Sequence, residues 1–406
     1  MHIAQIAKFE PTPLMFRLVT EALANGRLSY GPMHREFEAR FAKMHGKAHG
    51  IFTASGTCAL QLALQSLKEI RGWGDGDEVI VPAVTFPATV NVVIHCGLKP
   101  VFADVCRDTY NIDPAQIEAR VTDRTRCIIP VHLLGLPADM DAIMAIADRH
   151  NLDVIEDSCE AVMVGKNINQ DGEWRVGQRG VISCFSTYVA HHLVTGVGGF
   201  ALTSDAEIAT KIRSLMNHGR DPIYLSIDDA TGSDIGELKE IVERRFRFVS
   251  IGHSFRCTEL EAALGLAQID GLGDVVRKRI RNAATLKDKL AKHGRPALGS
   301  GFCGMEYQHV PDATVHSYLF FGFTVDHGRD DLVFHLEKNG VETRDLFPLV
   351  NQPIYRELVG NPEESFPVAW ELHKKGLIVG CHDKMSDAEL ELVAVEICGG
   401  IKAHGA

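Results

Sequence analysis

The chain has 406 residues, 45% hydrophobic and 23% charged, enough to bury a large core and to form one large and one smaller domain. Its net charge of -11 and the lack of any basic cluster exclude a nucleic-acid partner. No apolar run reaches about 18 residues and the N-terminus lacks a signal-peptide core, so no membrane association and a cytoplasmic location are expected. The ten cysteines are scattered without a CxC or CxxC pair, which argues for buried thiols over a zinc site or a disulfide framework.

Taken in chain order, residues 13–26 and the stretch LSYGPMHREFEARFAKMHG carry apolar positions at helical spacing and predict two amphipathic helices, with Tyr30 and Gly31 as candidates for a pocket border. HGIFTAS predicts a strand. The helix that follows opens with Ser55, Gly56 and Thr57, where free N–H groups and the helix dipole suit a phosphate; a plain N-cap is the alternative. DEVIVPAVTFPATVNVVIHCGLKPVFADV then reads strand, helix, strand, a rhythm that implies a parallel sheet. A further strand, RTRCIIPVHLLG, and the helix PADMDAIMAIADRH lead to NLDVIEDSCEA, a buried strand with Asp157 at its carboxyl end. Ligand chemistry gathers at such ends in α/β folds, and a carboxylate there can pair with a protonated pyridine nitrogen.

Residues 182–205, ISCFSTYVAHHLVTGVGGFALTSD, form two strand-like runs joined by a polar bend with adjacent histidines, His191 and His192, and a glycine-rich turn. A helix, EIATKIRSLMNHGRD, follows. Next comes a polar insertion, PIYLSIDDATGSDIGELKEIVERRFRF, whose latter half is helix-like. One long helix from Glu259 through KDKLAKHG closes a large domain, placed at residues 1–275. Residues 276–406 then read as a small α+β domain: strand SYLFFGFTV, helix DDLVFHLEKNG, strand and loop VETRDLFPLVNQPIYREL, and a closing strand, turn and helix.

Three segments, TASGTCALQLAL, VIEDSCEAV and FSTYVAHHLVTGVGG, together resemble the DegT/DnrJ/EryC1/StrS family of sugar aminotransferases, pyridoxal-phosphate enzymes of fold type I. The family loop usually reads like FSFHPTKNLTTGEGG, and its lysine holds the cofactor as a Schiff base. His191 stands in that place here, and an AHH triplet is typical of the family's lysine-less 3-dehydratase branch. The resemblance implies a large, mostly parallel mixed sheet with helices on both faces plus a small C-terminal α+β domain. It also implies a homodimer with active sites at the interface, a nucleotide-sugar substrate and glutamate as amino donor.

Residue by residue, the resemblance places the cofactor phosphate on Ser55, Gly56, Thr57 and Ser186, the ring against Phe86, and the pyridine nitrogen on Asp157. Glu160 would touch the ring oxygen or a substrate hydroxyl, and His132 lies near the pocket. Ser254 occupies the place of an asparagine that reaches the neighbouring subunit's phosphate. His192 and Arg344 are candidates for substrate contact. An iron–sulfur cluster is not expected, because the matching region from Asn217 to Cys257 holds a single cysteine.

Histidine cannot anchor the aldehyde as lysine does, yet it moves protons near neutral pH. The implied cofactor is therefore pyridoxal or pyridoxamine 5'-phosphate, held non-covalently, with His191 as the catalytic base of a C3 dehydratase acting on a nucleotide-linked 4-keto-6-deoxy sugar. Two other readings are an aminotransferase with a relocated anchor, for instance Lys166, and a non-catalytic relative that only binds cofactor or nucleotide sugar.

Overall fold

Short runs of Val, Ile and Phe, too brief for helices and buried on both faces, become the strands of a central sheet. They are β1 (His49–Thr53), β2 (Glu78–Pro82), β3 (Lys99–Ala103), β4 (Thr125–Ile128) and β5 (Asp153–Asp157). After a two-stranded hairpin, β6 (Gly165–Lys166) and β7 (Trp174–Arg175), the sheet resumes with β8 (Ile182–Ser186) and β9 (Gly199–Thr203). The seven strands lie in the order β1-β9-β8-β5-β4-β2-β3, and β9 alone runs against its neighbours. Thr53, Asp157 and Ser186 therefore end on one rim, the carboxyl edge of the sheet. The computed structural model describes residues 3–168, 170, 173–222, 235–294, 304–347 and 349–404. Among them no helix is long and apolar enough to cross a membrane.

A second sheet is wholly antiparallel, with β10 (Met305–Tyr307), β11 (Phe320–Val325), β12 (Thr343–Asp345) and β13 (Gly376–Gly380) in the order β10-β11-β13-β12. It has its own core, in which Phe321, Phe323, Leu377 and Val379 pack on Leu286, Leu290, Val393 and Ile397. Ala4 joins this core and bridges to Val341. The proposed division after residue 275 falls inside the helix Leu272–His293, which supplies part of that core.

Two expectations are corrected. The long helix from Glu259 is two helices, Glu259–Ile269 and Leu272–His293, parted at Asp270-Gly271, a pair with weak helix propensity. QPIYREL, expected as loop, is the helix Pro353–Val359, with proline at its first position where the missing N–H costs nothing. The β6–β7 hairpin lay in a stretch without a periodic signal. The helical half of the insertion is present as Ile235–Arg244, and residues 223–234 lie outside the described residues.

One carboxylate ties two helix starts together. The helix Pro32–Met44 follows Gly31, which has no side chain to cap it. Glu259 supplies the acceptor: its buried carboxylate takes the Met33 N–H at 2.7 Å and the His34 N–H at 3.2 Å. A Cβ at position 31 would lie 2.6 Å from that carboxylate, so a side chain there would have to displace the cap. Glu259→Gln removes the charge the helix start attracts, and should lower stability by about 2 kcal/mol. Urea unfolding would read this as a lower midpoint at constant slope, and an unchanged midpoint would refute the cap.

Candidate active site

The helix Gly56–Arg71 begins at the carboxyl rim. Ser55 is its N-cap, and its hydroxyl accepts the Cys58 N–H at 3.1 Å, leaving the first two N–H groups without helical partners. Gly56 brings this turn against β8: a Cβ on it would lie 2.8 Å from Cys159 Sγ and 2.9 Å from the Ser186 Cβ. Gly199 closes the other side, where a Cβ would stand 2.5 Å from the Gly56 nitrogen and 2.5 Å from the Ser55 carbonyl carbon. The sequence thus puts Ser55, Gly56, Thr57 and Ser186 around one cup, with glycines wherever backbone must approach backbone.

Below the cup, Asp157 is buried at the end of β5. Its Oδ2 accepts the Thr89 hydroxyl at 2.9 Å, and its Oδ1 accepts the Cys159 N–H at 3.2 Å. Burial raises its pKa above the usual carboxylate value, against these hydrogen bonds. Glu160 is buried near Asp157 and accepts the Leu134 N–H at 2.6 Å; burial, helped by the Asp157 charge, pushes it up to about 8. His132 is closed off. Its Nδ1 accepts the Ala138 N–H at 3.0 Å and its Nε2 therefore donates to Glu156, 3.0 Å away, which leaves no ring nitrogen for a ligand.

The loop from Thr187 to Gly198 is pinned at its neck by the paired hydroxyls of Thr187 and Thr195, 2.6 Å apart. Within it, His191 is partly exposed, its N–H donates to the Tyr188 carbonyl at 2.9 Å, and its Nδ1 is buried without a partner. Burial, reinforced by the charge of Arg279, holds its pKa down at about 4, so the ring is neutral at pH 7. His192 is buried: its Nε2 donates to the Ser317 carbonyl at 3.2 Å, which fixes the tautomer and tethers the loop to the chain entering β11.

Other candidates are less converged. Phe86 stands exposed at the rim, edge-on to Phe347 at 6.2 Å, and Tyr188 and Val197 in the histidine loop are exposed too. Ser254 is held by Arg256 at 3.0 Å, in a loop whose Phe255 carbonyl takes the Ala54 N–H just ahead of the cup. Arg344 is not brought to the cup; its guanidinium pairs with Glu342 and with the Thr343 carbonyl at the edge of the second sheet. Tyr30 turns inward, its hydroxyl donating to Glu38 at 2.8 Å. Lys166 pairs with Asp141 at 2.9 Å and lines a cavity with Cys106, Asp139 and Trp174, apart from the cup. Thr89 and Arg279 escaped the sequence reading, although Thr89 lies one helical turn beyond Phe86.

A mostly parallel sheet with ligand groups at its carboxyl rim and a small antiparallel sheet beside it is the architecture of pyridoxal-phosphate-dependent transferases of fold type I. The solved structure of the E. coli GDP-4-keto-6-deoxy-D-mannose-3-dehydratase with bound hydrated PLP superposes with a TM-score of 0.82, at 26% identity over 98% of this chain and 100% of that one. The chain belongs to the DegT/DnrJ/EryC1/StrS aminotransferase family, whose model matches residues 13–397. It is 34% identical to the UDP-N-acetyl-3-dehydro-alpha-D-glucosamine 3-aminotransferase of Acidithiobacillus ferrooxidans over 90% of this chain and 88% of that protein. It is also 34% identical to the dTDP-4-dehydro-2,6-dideoxy-D-glucose 3-dehydratase of Saccharopolyspora spinosa over 93% and 82%. The chain is thus a pyridoxal-phosphate enzyme of a sugar-modifying family, and overall identity does not divide its two chemistries.

Proposed function

We propose that the chain is a C3 dehydratase of a nucleotide-linked 4-keto-6-deoxy sugar, with pyridoxamine phosphate held non-covalently and replenished from an amino donor such as glutamate. The observation that carries this reading is His191 at the loop position where the family's anchoring lysine stands. The residues fit the cofactor. The cup at Ser55, Gly56, Thr57 and Ser186 is held together by Gly56 and Gly199, whose Cβ atoms would force the helix start off the sheet rim. Asp157, buried and without a cationic partner among the described residues, is suited to a protonated ring nitrogen.

When bound, the cofactor supplies an amine for the ketone and a ring that stores electrons. The protein's share is positional and protonic. Asp157, oriented by Thr89 and the Cys159 N–H, would keep the ring nitrogen protonated. His191, neutral at pH 7 and fixed by the Tyr188 carbonyl, would take a proton at the carbon next to the ring as the C3 hydroxyl departs. Glu160, protonated near neutrality, would donate a hydrogen bond to the ring oxygen or to a substrate hydroxyl. His192 would position His191 through its tether. A homodimer with shared sites, small-molecule traffic alone and a cytoplasmic setting belong to the same reading.

Transamination is the second reading, favoured by the aminotransferase relative. Borohydride treatment of the pyridoxal-phosphate form separates the two. The dehydratase reading expects no covalent mass increase, and expects an adduct to appear in His191→Lys. A stable adduct on a lysine of the unmodified chain would overturn it in favour of a relocated anchor.

A further inference from the structure

Behind His191 lies a cavity of about 280 Å³, between the N-terminal arm at Lys8 to Thr12, the His191 loop, and the helix Leu272–His293. Arg279 forms part of its wall and is only 3% exposed. Its Nη1 donates to the main-chain carbonyls of Tyr318 at 3.3 Å and Leu319 at 2.8 Å, while its Nε is buried and donates to nothing. Among the described residues no carboxylate lies within ion-pair distance of it. Asp383, the acid that most influences it, pairs with Lys384 instead. A buried charge without a counter-ion is expensive, and buried donors are normally satisfied. The three carboxylates at the cavity wall are each taken by a basic neighbour, Glu10 by Lys8, Asp274 by Arg277 and Asp383 by Lys384, so among the described residues Lys278 and Arg279 are left as the uncompensated charges there, and His191 lines the same space.

We propose that this cavity is an anion site, in which Arg279 takes a small carboxylate- or phosphate-bearing molecule beside the catalytic loop. Its volume lies just below the usual range for ligand pockets and leaves room for a small anion. Arg279 lines the cavity with a guanidinium of which only Nη1 is engaged by the chain, and a planar fork of this kind matches carboxylate and phosphate oxygens. Occupancy would also reach the chemistry. The Arg279 charge helps to keep His191 unprotonated, so an anion that neutralises it makes His191 a stronger base. The site is independent of whether the chain dehydrates or transaminates.

The test is calorimetry on the protein saturated with pyridoxamine phosphate, so that the cofactor's own phosphate cup is filled. Inorganic phosphate and glutarate, a dicarboxylate without an amine, are titrated separately. One-site binding of either is expected: phosphate alone would identify a phosphoryl-bearing ligand, glutarate alone a carboxylate one. Arg279→Gln should weaken it at least tenfold, the loss typical when one partner of a buried charge pair is truncated. Lys278→Glu, an exposed change that leaves the core intact, should weaken it as well and keeps the test decisive where Arg279→Gln fails to fold. No saturable binding of either anion, or equal affinity in both variants, would overturn the proposal.

Discussion

Replacement of His191 by asparagine is expected to lower dehydration of a 4-keto-6-deoxy nucleotide sugar by about 10²–10⁴-fold, the usual share of a positioned general base. Asparagine keeps the size and polarity of the side chain but cannot accept and return a proton. Cofactor affinity should change little, because the cup and Asp157 lie on other elements. The pH profile gives an independent check. His191 has its pKa lowered to about 4, so its basic form, and with it the rate, is lost as pH falls through that value and is fully present above it. The asparagine variant should lose that limb. Ammonia release measured across pH would refute the role of His191 if both proteins showed the same limb and the same rate.

A methyl group at residue 199 should be nearly as damaging. In Gly199→Ala the new Cβ would meet the Gly56 nitrogen and the Ser55 carbonyl carbon at 2.5 Å each, and neither backbone atom can swing aside as a side chain would. The start of the helix Gly56–Arg71 must then shift away from Ser186, opening the cup. Misplacement on the scale of 1 Å costs about 10²-fold in turnover, and pyridoxal-phosphate affinity should fall with it. Gly196→Ala is the contrasting control. Gly196 has φ +88 but nothing within 4 Å of its virtual Cβ, so that change strains one bend by about 1–3 kcal/mol and leaves the cup in place. Equilibrium dialysis of the cofactor should separate the two variants; equal affinities would show that backbone contact at residue 199 does not shape the cup.

The central sheet was legible because its strands are short apolar runs bounded by Gly, Pro and Asp, with amphipathic helices between them. The cup was legible for a similar reason: Ser55 to Thr57 at a helix start, Asp157 at a strand end and Ser186 at another are local patterns that the topology merely collects. Arg279 was not legible. In VVRKRIRNAATLK it reads as one more charge on a solvated helix, and only the docking of the 316–319 segment buries it. His132 lies beside Asp157, as the reading near the pocket expects, but its ring is committed to Glu156 and the Ala138 N–H, neither of which flags itself in sequence. Arg344 depends on which side of an edge strand faces the cleft, and that register is set by pairing with Ile378 rather than by local composition.

The pairing of β1 with β9 also governs the order in which the molecule can be assembled. Thr53 and Gly199 are bonded across 146 positions of sequence, and among the described residues β9 is the one strand of the sheet beside β1. A chain emerging from the ribosome therefore carries β1, buried at four of its five positions in the finished protein, unpaired until the glycine-rich turn has been made. During that interval its free edge is the segment most open to association with another chain. Fragments that stop short of residue 199 should aggregate, whereas those that include β9 can complete the sheet and, in the same step, the cup.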